Sequence, residues 1–127
     1  MIVLDASVLI AYLQPADAHH ANAVQILKRT EPGRMLVHSI TLAEVLAGPA
    51  QAGREVDLER ALNRIGVRVA ATSPDEPVAL ARLRATTGRK LPDCCVLLVA
   101  QHLGAELATF DRALAEPAKR LGLTVHR

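Results

Sequence analysis

Two rhythms of apolar and polar positions alternate along this chain: short apolar runs give way to longer stretches whose apolar residues recur at helical spacing. Ile2-Val3-Leu4 stops at Asp5 and reads as a buried strand. Val8, Leu9, Ile10, Tyr12 and Leu13 fit a helix ending near Pro15. Asp17 is placed to cap a second helix reaching about Arg29, with Ala21, Ala23, Val24 and Leu27 turned inward. After the turn at Pro32-Gly33, Met35 to His38 reads as a second strand. Ser39 or Thr41 then caps a helix carrying Leu42, Val45 and Leu46, which Gly48-Pro49 breaks.

A further helix runs from about Glu55 to Ile65 and stops at Gly66. Val67 to Ala70 reads as a third strand, and Ser73-Pro74-Asp75 opens a helix closed by Gly88. Pro92 suits the first turn of a helix reaching Leu103, with Gly104 as its stop. Glu106 to Thr109 is a fourth strand, and Leu123 to Val125 a fifth after a last helix. Strands alternating with helices of this length pair in parallel through right-handed crossovers, which predicts a three-layer α/β fold. No repeat or linker divides residues 1–127, so one domain is expected.

Composition narrows the chemistry. Half the residues are hydrophobic, yet there is one Tyr, one Phe and no Trp, so Leu, Val and Ala must build the interior. Such scarcity argues against modules that hold nucleic acid on aromatic platforms; contact with a nucleic acid would run through its phosphates. The net charge of +2 is uninformative, but Arg82, Arg84, Arg89 and Lys90 gather just before Asp93. They form either a solvated helix face or a phosphate contact. Cys94 and Cys95 lie in an apolar run, without zinc spacing, and read as small core residues of a reducing compartment. No apolar stretch approaches the ~20 residues of a membrane span, and Asp5 interrupts the N-terminal run, so a cytoplasmic protein is expected.

Four acids stand out by position: Asp5, Glu44, Asp93 and Asp111. In an open α/β sheet the ligand site lies beyond the carboxyl ends of the strands, where strand order reverses. Asp5 follows the first strand and Asp111 the fourth; were those strands neighbours, their backbones would lie ~4.8 Å apart and the carboxylates would converge. Asp93 sits in the first turn of an apolar helix, whose dipole favours an ionised carboxylate. Glu44 lies within the first turns of the helix after the second strand. Each acid also has a purely structural reading: Asp5 and Asp111 as helix caps, Asp93 as a dipole-complementing acid, and Thr41-Leu42-Ala43-Glu44 as a capping box. Carboxylates brought together need a positive partner, and an all-oxygen set suits Mg²⁺ or Mn²⁺, beside which a phosphodiester can be hydrolysed.

At these residues the sequence resembles the PIN-domain nucleases, in particular the VapC-type toxins of toxin–antitoxin pairs. The blocks Ile2-Val3-Leu4-Asp5-Ala6-Ser7-Val8-Leu9-Ile10, Ser39-Ile40-Thr41-Leu42-Ala43-Glu44-Val45-Leu46-Ala47-Gly48, Leu91-Pro92-Asp93-Cys94-Cys95-Val96-Leu97 and Leu107-Ala108-Thr109-Phe110-Asp111 carry the likeness in order across the chain. The resemblance implies a five-stranded parallel sheet of order 3-2-1-4-5. It implies Asp5 and Asp93 as metal ligands for Mg²⁺ or Mn²⁺. Glu44 and Asp111 become supporting acids that hold water and help activate the nucleophile. Ser7 and Thr109 become hydroxyl partners, although both also suit helix or turn capping. It further implies an endoribonuclease cutting tRNA or ribosomal RNA and inhibiting translation, a small antitoxin that covers the cleft, and a homodimer. Leu97, Leu98 and Val99 are bulkier than the resemblance leads one to expect after the third acid.

The competing reading is a catalytically silent PIN-like module that binds protein or RNA. Phosphotransfer from Asp5 fits less well, because Ser7 stands where haloacid-dehalogenase-like enzymes place a second Asp, and the paired early acids and late Lys of response-regulator receivers are missing. His19 and His20 point roughly 100° apart on a helix and cannot easily share an ion, so both read as exposed. His38 receives no role. The apolar faces of the first four helices exceed what so small a domain can bury, and some of that surface is expected to meet a second copy or an antitoxin.

Overall fold

A computed structural model describes all residues, Met1–Arg127. Its elements run β1 (Ile2–Leu4), α1 (Ala6–Leu13), α2 (His20–Arg29), β2 (Met35–Val37), α3 (Ser39–Ala50), α4 (Glu55–Arg64), β3 (Val67–Val69), α5 (Glu76–Thr87), α6 (Leu91–Leu103), β4 (Glu106–Ala108), α7 (Arg112–Arg120) and β5 (Val125–His126). The five strands form one parallel sheet in the order β3-β2-β1-β4-β5, as expected. The chain reverses direction of winding between β1 and β4, whose registers pair Ile2 with Glu106 and Leu4 with Ala108.

Alternation along the strands feeds two cores. Ile2, Leu4, Met35 and Val37 face one side, where Leu9, Ile26, Leu27, Val45 and Leu62 from α1–α4 cover them. Val3 and Leu107 face the other side, against Leu83 of α5, Leu114 of α7 and the apolar run of α6 from Cys94 to Ala100. Leu97 is fully buried there and Val99 nearly so, so the bulk of these residues is absorbed by a core that lacks aromatic rings. No helix is long and apolar enough to cross a membrane.

Four local expectations are corrected. Helix α2 begins at His20, because Asp17 Oδ1 accepts the His19 N–H at 2.8 Å and so stabilises the turn before the helix. Its buried residues are Ala23, Ile26 and Leu27; Ala21 is exposed and Val24 half-buried, a rotation of the inward stripe set by where the helix starts. Pro49 does not break α3. Its missing N–H falls in the last turn, and the chain closes through the three-residue-span bonds Gln51 N–H to Gly48 O, Ala52 N–H to Pro49 O and Gly53 N–H to Ala50 O. Strand β5 starts at Val125 because the Leu123 N–H is used on Ala118 O, at the end of α7.

Gly66 joins α4 to β3 at φ +97°, and a Cβ there would meet Pro32 Cα at 2.4 Å. Gly53 has φ +69° with open space around it. Both conformations are strained for an L side chain, but only Gly66 also has a backbone neighbour that cannot move aside. Urea unfolding should therefore show Gly66→Ala destabilised by about 2–4 kcal/mol and Gly53→Ala by about 1 kcal/mol. Equal losses would mean that the Pro32 approach does not constrain this turn.

Candidate active site at the carboxyl edge of the sheet

Asp5 extends β1 by one residue, its N–H donating to Ala108 O at 3.0 Å, and then turns the chain into α1. Although it holds the cap position, its side chain makes no capping bond. The carboxylate, only 7% exposed, turns toward β4 instead. Its Oδ2 accepts the hydroxyls of Ser7 and Thr109, each at 2.8 Å. A hydroxyl has a single proton, so both hydroxyls are oriented by what they accept. Ser7 Oγ accepts the Phe110 N–H at 3.0 Å, and Thr109 Oγ1 accepts the Asp111 N–H at 3.0 Å. The loop after β4 thus aims two hydroxyl protons at one carboxylate oxygen.

Glu44 is free of the capping role that its sequence context allows. Helix α3 is capped by His38, whose Nδ1 accepts the Ile40 N–H at 3.0 Å, and Thr41 lies inside the helix, fully buried. This assigns His38 its role. With Nδ1 accepting, Nε2 carries the proton, and it donates to Glu76 Oε1 at 2.6 Å, fastening α3 to the start of α5. Asp93, in the first turn of α6, receives Arg89 through Nε at 3.0 Å and Nη2 at 2.6 Å, both on Oδ2. Asp111 is exposed and does cap α7, Oδ1 accepting the Ala113 N–H at 2.9 Å.

Electrostatics ties these acids together. Burial raises the Asp5 carboxyl above its ordinary value; the Thr109 and Ser7 hydroxyls pull it back in part, and the negative charge of Asp93 pushes it up again. Glu44 is raised by partial burial and then by the charges of Asp5 and Asp93. Arg89 is held in its charged form, chiefly by its bond to Asp93 and also by Asp111. Asp5, Glu44 and Asp93 therefore share one field, and Asp111 joins through Arg89. Cys95 adjoins the cluster as an inert thiol, pushed up to about 11 first by burial and then by Glu76, Cys94 and Glu44.

The donor set is all carboxylate and hydroxyl oxygen, which suits a hard divalent cation. No three acids, imidazoles or thiols stand close enough to chelate one ion jointly. Mg²⁺ does not need three: it retains waters and is held by one or two carboxylates with substrate phosphates. Asp5 and Asp93, which feel each other's charge, are the two carboxylates that could hold it. The rim is open rather than enclosed, with Glu44 and Asp111 exposed, whereas a groove of about 610 Å³ lies by Met1, Arg29 and Arg34, away from these acids. An open edge fits a long polymer better than a small ligand.

Neither the cap made by His38 nor the stack made by the exposed His19 is among the features expected from the sequence. His38 directly before a helix, with Ile40 two residues on, carried the signal for the first. Nothing local signals the second: His19 stacks on Phe110, ring centroids 4.6 Å apart and planes 14° from parallel. His20 bonds Ala11 O through Nδ1 at 2.8 Å, so the two histidines do go separate ways.

Because the Asp5 carboxyl is raised in the fold, its ionisation opposes folding. That penalty is absent below the ordinary carboxylate range and present once pH rises past the raised value. Asp5→Asn should therefore unfold at higher urea concentration than the parent at pH 7, the gap closing as pH falls toward 4. A gap that is constant with pH would mean that the carboxylate is not buried at a cost.

Comparison with known proteins agrees with this architecture. The PIN domain family model matches residues 2–120. Among curated proteins, none matches the chain by sequence. A toxin–antitoxin complex from Klebsiella pneumoniae is 26% identical with a TM-score of 0.77, over 100% of this chain and 97% of that one. VapC20 of Mycobacterium tuberculosis, a sarcin-ricin loop cleaving toxin, is 22% identical with a TM-score of 0.71, over 92% and 95%. FitAcB from Neisseria gonorrhoeae is 20% identical with a TM-score of 0.72, over 100% and 97%. The five-stranded sheet of this order and a family match over nearly every residue lead to one conclusion: the chain belongs to the PIN domain family.

Proposed function

We propose that this PIN domain is a Mg²⁺- or Mn²⁺-dependent endoribonuclease, the toxin of a toxin–antitoxin pair, which cleaves tRNA or ribosomal RNA in the cytoplasm and so inhibits translation. The observation that carries the proposal is the Asp5 carboxylate, buried behind two oriented hydroxyls and sharing a field with Glu44 and Asp93. Such a cluster is costly unless a cation is part of its working state. The Klebsiella toxin–antitoxin complex supports the toxin part of this reading, and the loop-cleaving VapC20 supports the cleavage of RNA.

In this reading Asp5 and Asp93 hold the ion, which when bound supplies Lewis-acid stabilisation of charge on the phosphodiester and favours deprotonation of water. Ser7 and Thr109 fix the orientation of the Asp5 carboxylate through its Oδ2. Glu44, with its raised affinity for protons, accepts one from the attacking water. Asp111 would help hold water at the site while capping α7. Arg89 keeps a guanidinium beside the acids, where it meets the phosphate backbone of RNA.

The surface supports partners of this kind. An apolar groove of about 600 Å³ runs between α1 and α2, lined by Tyr12, Leu13, Val24 and Leu27, and Ile40 and Val56 are about half exposed on α3 and α4. We infer that a small antitoxin and a second copy of the chain cover parts of this surface. Light scattering should show a dimer alone and a larger assembly with the protein encoded next to it. A strict monomer in both samples removes that inference.

The purified protein should cut RNA with added Mg²⁺ or Mn²⁺ and lose activity with a chelator. Asp5→Asn and Asp93→Asn should abolish cleavage. Asp111→Asn and Thr109→Val should retain activity reduced roughly 10- to 100-fold, the usual loss for groups that act through a ligand, and Glu44→Gln should lose about 10²- to 10⁴-fold, as for a general base. RNA end-mapping by sequencing checks this series and reports the target. Equal cleavage by the parent and Asp5→Asn would assign the activity to a contaminant and leave the reading as a silent binding module.

A further inference from the structure

The single aromatic stack of the molecule stands at the acid edge. Phe110, the one Phe of the chain, lies between Thr109 and Asp111, and its N–H is held by the Ser7 hydroxyl that also binds Asp5. Its ring is half-buried against the core beside α1 and α2, and the His19 imidazole lies flat on it, centroids 4.6 Å apart. His19 is exposed, yet its backbone is fixed on both sides. Its N–H donates to Asp17 Oδ1 at 2.8 Å, and its carbonyl accepts the Ala23 N–H at 2.9 Å. The imidazole is therefore a preset flat surface, backed by a phenyl ring and tied through Ser7 to the buried carboxylate.

We infer that the His19–Phe110 stack is a base-stacking subsite that holds one unpaired base of the RNA next to the scissile phosphate. This rests on the nuclease reading given above and adds a substrate preference to it. Aromatic faces, histidine included, accept splayed single-stranded bases with little sequence preference, while a paired base in a duplex is not available to them. Core packing does not require the imidazole, since the Phe110 ring already closes that edge and His19 remains in solvent. The subsite selects a looped or single-stranded target, and the acids cut beside the stacked base.

The test uses an oligoribonucleotide hairpin with 2-aminopurine in its loop, mixed with protein and Mg²⁺ in a stopped-flow fluorimeter, followed by steady-state cleavage. The parent and His19→Phe should quench 2-aminopurine in the binding phase. His19→Ala should fail to quench and should raise KM roughly ten- to a hundred-fold with kcat little changed, the usual loss for one stacked base. The same oligonucleotide fully paired to its complement should be cut poorly by all three proteins. If His19→Ala quenches and cleaves like the parent, the subsite is absent while the nuclease reading stands. A fall in kcat at constant KM in both variants also overturns the inference, placing His19 in the chemistry. If the parent neither binds nor cuts RNA, the nuclease reading itself fails and this inference goes with it.

Discussion

The hydroxyls of Ser7 and Thr109 meet the buried Asp5 carboxylate from opposite ends of the chain, and most of the acid edge depends on that meeting. Without them a nearly buried carboxylate would face the interior with little to hydrogen-bond, and its charge would be expelled or neutralised. With them, the end of β1, the first turn of α1 and the loop after β4 are tied at one atom, Oδ2. The same loop amides that orient the hydroxyls belong to Phe110 and Asp111. The positions of the aromatic stack and of the α7 cap therefore follow from the geometry that holds Asp5.

Around this anchor the remaining charges divide between fold and site. His38 and Glu76 are consumed structurally, joining α3 to α5 so that Glu44, on the same helix, is carried toward Asp5. Arg89 compensates Asp93 through two nitrogens on one oxygen, which leaves the other oxygen of that carboxylate uncommitted. Asp93 is thus engaged at one oxygen, and Asp5 is held by two hydroxyls at its Oδ2. A carboxylate held on one side and open on the other has its direction set before any ligand arrives, so less order must be created on binding.

The core is built to keep this arrangement rigid without aromatic bulk. Helix α6 is buried along nearly its whole length from Cys94 to Ala100, and its first turn, bearing Asp93, inherits that rigidity. Cys94 and Cys95 serve as small packing groups, and burial leaves the Cys95 thiol protonated. The one Phe is spent at the acid edge rather than deep in the interior.

Much of this was legible in the amino-acid order. The period of apolar residues specified strands and helices, their alternation specified a parallel three-layer fold, and Asp5, Glu44, Asp93 and Asp111 were recognisable by their places after strands and at helix starts. Those features are local, set within a few residues by side-chain direction and capping. Local rules also misled: Thr41 to Glu44 matched a capping box that His38 pre-empts, and Asp17 stabilises the turn before α2 rather than the helix itself. What only the tertiary structure decided is which distant groups face one another. The bond of Thr109 to Asp5, the field that Asp5 and Asp93 exert on Glu44, and the stack of His19 on Phe110 each join remote parts of the chain. Such pairings depend on β1 lying beside β4 and on the register between them, and these come from packing the whole sheet against both helical layers.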